Sequence, residues 1–301
     1  MFLEEKYYTR GKVDSLSYFA PGTYQSNSAT ASFWRDFSSR SRNRVGGTMI
    51  EMHTNSTMDC LARLMDTVRF GTYAHSMPNL PLLDRIDFCV DCNTEDGNYK
   101  EWLKLAEWVV YCFNAKKHVI PGNIRRNECG ITGVHTATSG RTQGWEFVVY
   151  NKELQRKSAG VGYRFEMRHK HIKGEDESEA LEKMIALVRS LPAMANKGAE
   201  IMNDKLLNKW HASAPRRNTP RDVNEFIRAH MDEIFSREQL KQLYIALGYE
   251  QTAKKQSASK AVRNFLYGNP KMLLVEEKDL TAFCDCIVSH IESYITGTTA
   301  T

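Results

Sequence analysis

Long apolar runs are missing from this sequence, and so is the pattern of a secretion signal. The longest apolar run, residues 108–113, is far shorter than the roughly 20 residues that a membrane-spanning helix needs. The first five residues include two acids and no lysine or arginine, whereas a secretion signal begins with basic residues. We therefore expect no membrane association and a cytoplasmic location.

The cysteines do not form a recognisable metal or disulfide pattern. There are seven, an odd number, and they are scattered through the chain. Cys89 and Cys92 have zinc-finger spacing, but the other close pair, Cys284 and Cys286, has one residue between its members. Because structural zinc needs four converging ligands, we expect reduced thiols in the core.

Charge is mildly basic and is concentrated in one segment. The net charge is +5, and 42% of the residues are hydrophobic, which indicates an ordinary globular chain. Residues 205–268 hold twelve Lys or Arg against six Asp or Glu. Such a local excess is typical of a phosphate-binding surface, although a solvated helical face would explain it equally well.

The hydrophobic pattern changes near Gly174. Before it, alternation predicts strands at residues 13–19, 85–91, 145–152 and 163–168, with helices at 58–68 and 99–114. After it, almost every segment up to residue 296 has helical periodicity, interrupted by a proline-containing linker at 213–220. The sequence predicts an α+β fold, with an antiparallel-sheet domain at 1–212 followed by a mainly helical, basic region at 213–301.

Three of the predicted strands each carry polar residues on one face. Alternate side chains of a strand point to the same face. If the strands are neighbours, one face of the sheet is apolar and the other is polar. The polar set is Asp87, Asp91, Glu146, Tyr150, Lys152, Arg164, Glu166 and Arg168.

This set of side chains suits phosphodiester cleavage. Carboxylates bind Mg²⁺ or Mn²⁺ through oxygen, a tyrosine can act as a covalent nucleophile, and arginine clamps phosphate with two hydrogen bonds. Acids on one face are also what any half-solvated strand has, so this pattern alone leaves both interpretations open.

The order of three short motifs resembles the replication initiation factor family. These motifs are Arg-Ile-Asp at 85–87, Tyr-Asn-Lys at 150–152 and Arg-Phe-Glu at 164–166. The family contains rolling-circle initiators of small plasmids and phages and relaxases of conjugative transposons. The resemblance covers roughly residues 83–171 and, more weakly, the strand at Val13 and Asp14. It departs from the family at 136–140, which reads Thr-Ala-Thr-Ser-Gly where a Gly-Ser pair is common.

The resemblance implies a role for each polar side chain that matches a motif residue of the family. Tyr150 would attack the DNA and form a 5′-phosphotyrosine link, with Lys152 and Arg164 assisting catalysis. The metal ligands would be Asp87, Glu166 and, third, Asp91, holding Mg²⁺ or Mn²⁺. Arg168 would contact DNA.

Two other enzyme classes use part of this inventory. His169 and His171 are spaced like the metal site of His-hydrophobe-His nicking enzymes, but Lys170 stands between them. We expect His169 to lie on a basic surface past the strand end, contacting DNA. A primase-polymerase would use two nearby aspartates for two-metal chemistry, without needing the Tyr-x-Lys motif.

The basic segment contains a helix–turn–helix-like pattern. One helix is predicted at 236–248, with a serine N-cap and a terminal glycine, and a second at 257–267. A second helix in a major groove would use Arg and Asn for bases and lysines for phosphates. The predicted DNA-binding residues are Lys254, Lys255, Lys260, Arg263 and Asn264; a helical bundle with a basic surface is the alternative.

Together these patterns predict an origin-specific enzyme that nicks and rejoins one DNA strand. A transfer relaxase with the same chemistry is the nearest alternative, and a non-catalytic sequence-specific DNA-binding protein is an alternative of another class. Expected partners are the duplex origin and single-stranded DNA. The resemblance adds a homodimer and a host helicase.

Overall fold

The computed structural model describes residues 10–21, 40–44, 47–53, 82–92, 99–117, 135–138, 144–151, 162–170, 172, 176–213, 219–249 and 257–297. Over these residues the chain has an α+β fold, with an antiparallel sheet followed mostly by helices. The predicted fold class is confirmed at this level. The predicted helix at 58–68 lies outside the described residues.

Seven strands of the described residues form one antiparallel sheet. They are β1 (Arg10–Pro21), β2 (Arg40–Arg44), β3 (Gly47–His53), β4 (Leu82–Cys92), β5 (His135–Thr138), β6 (Trp145–Asn151) and β7 (Tyr163–Lys170). Their order across the sheet is β2-β3-β1-β4-β7-β6-β5, and every pair is antiparallel. The three strands that carry the polar residues, β4, β7 and β6, are direct neighbours, which is the condition under which the sequence predicts one polar face.

The described α-helices pack around one side of this sheet and onto each other. They are α1 (Tyr99–Lys116), α2 (Glu177–Arg189), α3 (Ala195–Ser213), α4 (Pro220–Ala229), α5 (Arg237–Ala246), α6 (Ala258–Gly268) and α7 (Glu277–Thr296). Side chains cap several N-termini: Asp176 at α2, Thr219 at α4, Ser236 at α5 and Ser257 at α6. These caps accept hydrogen bonds from the first free backbone N–H groups and so fix where each helix begins.

Helix α1 forms the centre of the core. The helix predicted at 99–114 is confirmed, and burial extends around most of it, from Trp102 to Ala115. Phe113 stacks on Phe147 of β6 with ring centroids 4.3 Å apart, and Phe147 meets Phe165 of β7 edge to face at 5.6 Å. These contacts fix the apolar side of β6 and β7 against α1, so the opposite side carries the polar residues.

Helix α7 packs directly on strand β1 because a glycine lets it approach. A Cβ built on Gly11 would lie 2.3 Å from the Cβ of His290, a distance that real side chains do not reach. The absence of a side chain at Gly11 therefore allows close contact between a C-terminal helix and an N-terminal strand.

One hydrophobic cluster includes residues from both predicted regions, from Val13 to Ile291. A buried lysine also joins them: Lys104 Nζ donates to the backbone oxygens of Met231 (3.1 Å), Ile234 (2.6 Å) and Leu273 (2.6 Å). The core thus continues across residue 213, and the division into a nicking domain and a DNA-binding domain stays a prediction. None of the described helices is both long enough and apolar enough to span a membrane.

Candidate functional site

The polar face of the sheet is ordered in rows that run across the strands. One row contains Glu146, Arg168, Asp87 and Ser15 on β6, β7, β4 and β1. The next contains Val148, Glu166 and Cys89, and a third contains Tyr150, Arg164 and Asp91. Arg164, Glu166 and Arg168 alternate in charge along β7, the central strand of these rows, and each carboxylate of the face lies beside at least one guanidinium.

Tyr150 and Glu166 contact each other directly. The Tyr150 hydroxyl donates a hydrogen bond of 2.9 Å to Glu166 Oε2 across the β6–β7 pair. Tyr150 lies with Val148 in a small cluster separate from the main core. The prediction that this tyrosine faces the acids is confirmed, because the hydroxyl and the carboxylate lie on the same side of the sheet.

The phenol is buried and its proton is held tightly. Tyr150 is 4% exposed, and burial followed by the Glu166 charge raises the pKa of the hydroxyl above its usual value of 10, although Arg164 opposes the shift. For Glu166, burial would raise the pKa, but the Arg168 guanidinium outweighs it and holds the pKa below the usual range. In this arrangement the proton stays on the tyrosine.

Asp87 is held by two neighbours. Arg85 Nε donates to Asp87 Oδ1 at 2.6 Å, and Ser15 Oγ of β1 donates to Asp87 Oδ2 at 2.8 Å. Burial raises the pKa of Asp87, and Arg85 only partly offsets the shift. Both carboxylate oxygens therefore already accept hydrogen bonds from the chain.

Arg164 connects three strands. Its Nε and Nη2 donate to the two oxygens of Asp91 at 2.5 and 2.6 Å, a bidentate pair between β7 and β4. Its Nη1 donates to Asp14 Oδ1 of β1 at 2.5 Å. Arg164 is almost fully buried, so its charge is balanced by these carboxylates rather than by water.

At the other end of the face, two cations share two acids. Arg168 Nε lies 2.7 Å from Glu166 Oε1, and its Nη1 lies 3.2 Å from Glu146 Oε2. Lys170 Nζ lies 2.6 Å from the same Glu146 oxygen. Burial opposes ionisation of Glu146, but Lys170 and Arg168 hold its pKa below the usual range.

The carboxylates have the oxygen donors that Mg²⁺ or Mn²⁺ prefers, but they do not converge on one point. Among the described residues no group of three or more His, Cys, Asp or Glu side chains is placed to hold a metal ion. Asp87, Asp91 and Glu166 are instead each bound to an arginine. As placed, they do not form a metal site, and the dependence on Mg²⁺ or Mn²⁺ stays a prediction of the resemblance.

The prediction for His169 is wrong. Strand β7 continues to Lys170, so His169 lies within the strand and, by alternation, on the apolar face with Phe165 and Met167. It is 8% exposed, and its ring stacks on Trp145 with centroids 3.8 Å apart. A buried ring facing the core has no surface for DNA. His171 lies outside the described residues.

The predicted DNA-binding residues are only partly described. Lys254 and Lys255 lie outside the described residues, and so does Lys152, which was predicted to assist catalysis. Lys260, Arg263 and Asn264 are all exposed on α6. Helices α5 (Arg237–Ala246) and α6 (Ala258–Gly268) lie at the positions predicted for the two helices. The interval between them, residues 247–257, is longer than the three or four residues of a typical helix–turn–helix, and the helix–turn–helix arrangement stays a prediction.

Sequence reasoning missed four members of the polar face. Ser15, Arg85 and Lys170 each bind one of its acids, and Asp14 binds Arg164. Alternation from Arg164 and Arg168 to Lys170, and from Asp87 back to Arg85, would have found two of them. Nothing local in the sequence indicates that Asp14 and Ser15 both face the acids of β4 and β7.

Neither a protein-family model, nor a curated protein, nor a solved structure matches this chain, so the site is interpreted from its own geometry.

Proposed function

We propose that the chain nicks and rejoins one strand of DNA, with Tyr150 as the nucleophile, as a replication initiator or a relaxase. The observation that carries the proposal is the contact between the Tyr150 hydroxyl and Glu166, 2.9 Å apart, on a sheet face that also holds Arg164 and Arg168. A phenol, a carboxylate that can take its proton and two guanidiniums for a phosphate are the groups that a tyrosine transesterification needs.

The proposed reaction uses side chains of this face. As the Tyr150 oxygen bonds to phosphorus, the phenol becomes more acidic, and only then does its proton pass to Glu166 Oε2 along the existing hydrogen bond. The P–O3′ bond breaks, the 3′ oxygen leaves and takes a proton from water to become the 3′ hydroxyl, and the 5′ phosphate stays on the tyrosine. Rejoining reverses these steps, with the 3′ hydroxyl attacking the phosphotyrosine. Arg164 and Arg168 would stabilise the charge that develops on the phosphate oxygens.

The decisive assay incubates the pure protein with supercoiled DNA of the replicon that carries its gene, with Mn²⁺ and with a chelator. We expect nicked circles and a covalent protein–DNA adduct with Mn²⁺, and neither product from Tyr150→Phe. Tyr163→Phe is the matched control, because Tyr163 lies on the neighbouring strand on the opposite, apolar side. An adduct that persists in Tyr150→Phe would move the nucleophile elsewhere. Full activity of Asp87→Asn and Glu166→Gln would remove both from the chemistry.

A second candidate is a non-catalytic, sequence-specific DNA-binding protein whose polar face is structural. The burial of Tyr150 favours it, because a scissile strand has to reach a hydroxyl that is only 4% exposed. The neutralisation of Asp87, Asp91 and Glu166 by arginines favours it as well. In the assay above, DNA binding without nicking or adduct formation by the wild-type protein would select this candidate.

Both candidates need a DNA-binding surface, and helix α6 supplies one. Ala258, Ala261, Val262 and Phe265 are buried, while Lys260, Arg263 and Asn264 are exposed one helical turn apart. Tyr267 continues the exposed stripe and is 91% exposed. The helix contains no acid, so its free face is basic and suits phosphates and base edges. Homodimer formation and a host helicase as partner are further proposals that rest on the resemblance.

Removing the two cations of α6 should weaken DNA binding in a salt-dependent way. For Lys260→Ala with Arg263→Ala we expect lower affinity for duplex DNA and a flatter slope of log K against log salt, by about one unit per lost phosphate contact. Fluorescence anisotropy at several salt concentrations measures both. The matched control is Lys183→Ala with Lys278→Ala, which removes the same charge from α2 and α7. Equal losses in the two double variants would exclude α6 as the binding face.

A further inference from the structure

A β-bulge in strand β1 places two consecutive side chains on the polar face. Val13 pairs with Phe88 and Ser15 pairs with Asp87, so two residues of β1 separated by Asp14 face two adjacent residues of β4. Without the irregularity Asp14 and Ser15 would point to opposite faces. Instead Ser15 donates to Asp87 and Asp14 accepts from Arg164. Bulges re-aim single side chains in this way and are common beside functional sites.

The re-aimed Asp14 completes the surroundings of Arg164. Asp91 accepts hydrogen bonds from the Nε and Nη2 groups of Arg164, and Asp14 accepts one from its Nη1 group. The guanidinium is planar and can rotate about a bidentate pair only by breaking it, so a third bond to another strand fixes its plane. Arg164 is also the cross-strand partner of Tyr150 in the β6–β7 ladder. The position of Asp14 therefore determines where a cation lies beside the phenol.

We propose that Asp14 is a positioning residue of the candidate site, which forms with Asp91 a two-carboxylate clamp that fixes the Arg164 guanidinium beside Tyr150. The role in catalysis rests on the proposed nicking function, whereas the clamp itself does not. Asp14 acts through Arg164 and does not touch the DNA.

The clamp is tested by a double-mutant cycle in urea unfolding. Asp14→Asn should increase the unfolding equilibrium constant by about tenfold in the wild-type protein, since the bond from the Arg164 guanidinium then ends on a neutral amide oxygen and its ionic part is lost. In an Arg164→Gln background the same substitution should have no such effect, because the guanidinium that Asp14 binds is then absent. Equal effects in both backgrounds would overturn the clamp. If Arg164→Gln does not fold, Arg164→Lys replaces it, since one ammonium cannot bind both acids in this geometry.

The positioning role is tested by the steady-state kinetics of nicking. Asp14→Asn should lower kcat by roughly ten- to a hundredfold, as misplaced catalytic groups do, with KM unchanged because α6 still binds the DNA. Asp14→Glu should restore part of kcat. Asp285→Asn, an exposed position on α7, is the matched control for the lost charge and should behave as wild type. An unchanged kcat in Asp14→Asn would overturn the role. A wild-type protein that does not nick would overturn the proposed function, and the unfolding cycle would still decide whether the clamp exists.

Discussion

On one side of strands β4, β6 and β7, Phe88, Phe147 and Phe165 are fully buried against helices. On the other side of the same strands, Asp87, Arg164 and Glu166 are almost as completely buried. The apolar side is stabilised by removal of hydrocarbon from water, and each side chain contributes roughly in proportion to its buried area. The charged side gains nothing from desolvation, which opposes ionisation of every group on it.

The two sides of the sheet differ in how much stability is lost when one neighbouring side chain is removed. An aromatic ring that loses one neighbour keeps the others, so each contact on the apolar side is a modest part of a large total. A buried carboxylate that loses its arginine is left as an uncompensated charge. The polar face therefore depends on complete pairing. Such a face provides fixed cations and anions at defined positions, which an apolar face cannot do.

A cation of the polar face can be removed first alone and then together with the carboxylate charge that it balances. Arg168→Met leaves Glu166 and Glu146 short of a partner and should destabilise the protein by about 3 kcal/mol. Adding Glu166→Gln should recover part of this loss, because the orphaned charge is gone while an oxygen remains for the Tyr150 hydroxyl. Urea unfolding of both variants measures the free energies.

The matched pair on the apolar side should behave in the opposite way. Phe113 and Phe147 stack on each other, and each truncation to alanine should cost about 3–5 kcal/mol. The double variant should be at least as unstable as either single variant, with no recovery. A rescue of Phe147→Ala by Phe113→Ala, or a failure of Glu166→Gln to rescue Arg168→Met, would show that the two faces do not differ as argued.

The sequence predicted the two faces because strand alternation is a local property. Ile86, Phe88 and Val90 against Asp87 and Asp91 indicate the sides of β4 without any tertiary information. The same rule failed at His169 only because the predicted strand ended two residues too early. Extended to Lys170, alternation places His169 with Phe165 and Met167 on the core side, where it lies.

What the sequence could not provide is the pairing of distant charges. Asp14 and Arg164 are 150 positions apart, and their contact depends on the order β1-β4-β7 and on a bulge in β1. The carboxylates predicted as metal ligands are bound to arginines, a choice of rotamer and neighbour that motif spacing does not determine. The functional proposal therefore depends on tertiary contacts that only the structure supplies.

A smaller test compares a carboxylate that has a neutral partner with those that have cations. Glu177, at the start of α2, accepts a 2.9 Å hydrogen bond from the Tyr294 hydroxyl of α7. Burial raises the pKa of Glu177, and the Tyr294 bond offsets only part of the shift, whereas Arg168 and Lys170 outweigh burial and lower the pKa of Glu146. The two carboxylates should therefore affect stability with opposite dependence on pH.

For Glu177 the folded-state pKa lies above the unfolded value, so its contribution to stability is present below the unfolded pKa, about 4.3, and is lost as the pH rises through the folded pKa. Glu177→Gln cannot ionise and still accepts the Tyr294 bond. The variant should be slightly more stable than wild type at pH 7, and the difference should vanish below about pH 4, as measured by urea midpoints across that range. Glu182→Gln, exposed on the same helix, is the control. A Glu177→Gln variant that is less stable at pH 7 would mean that the ionised carboxylate is stabilised there, and that a neutral hydroxyl can replace a cation as the partner of a half-buried acid in this fold.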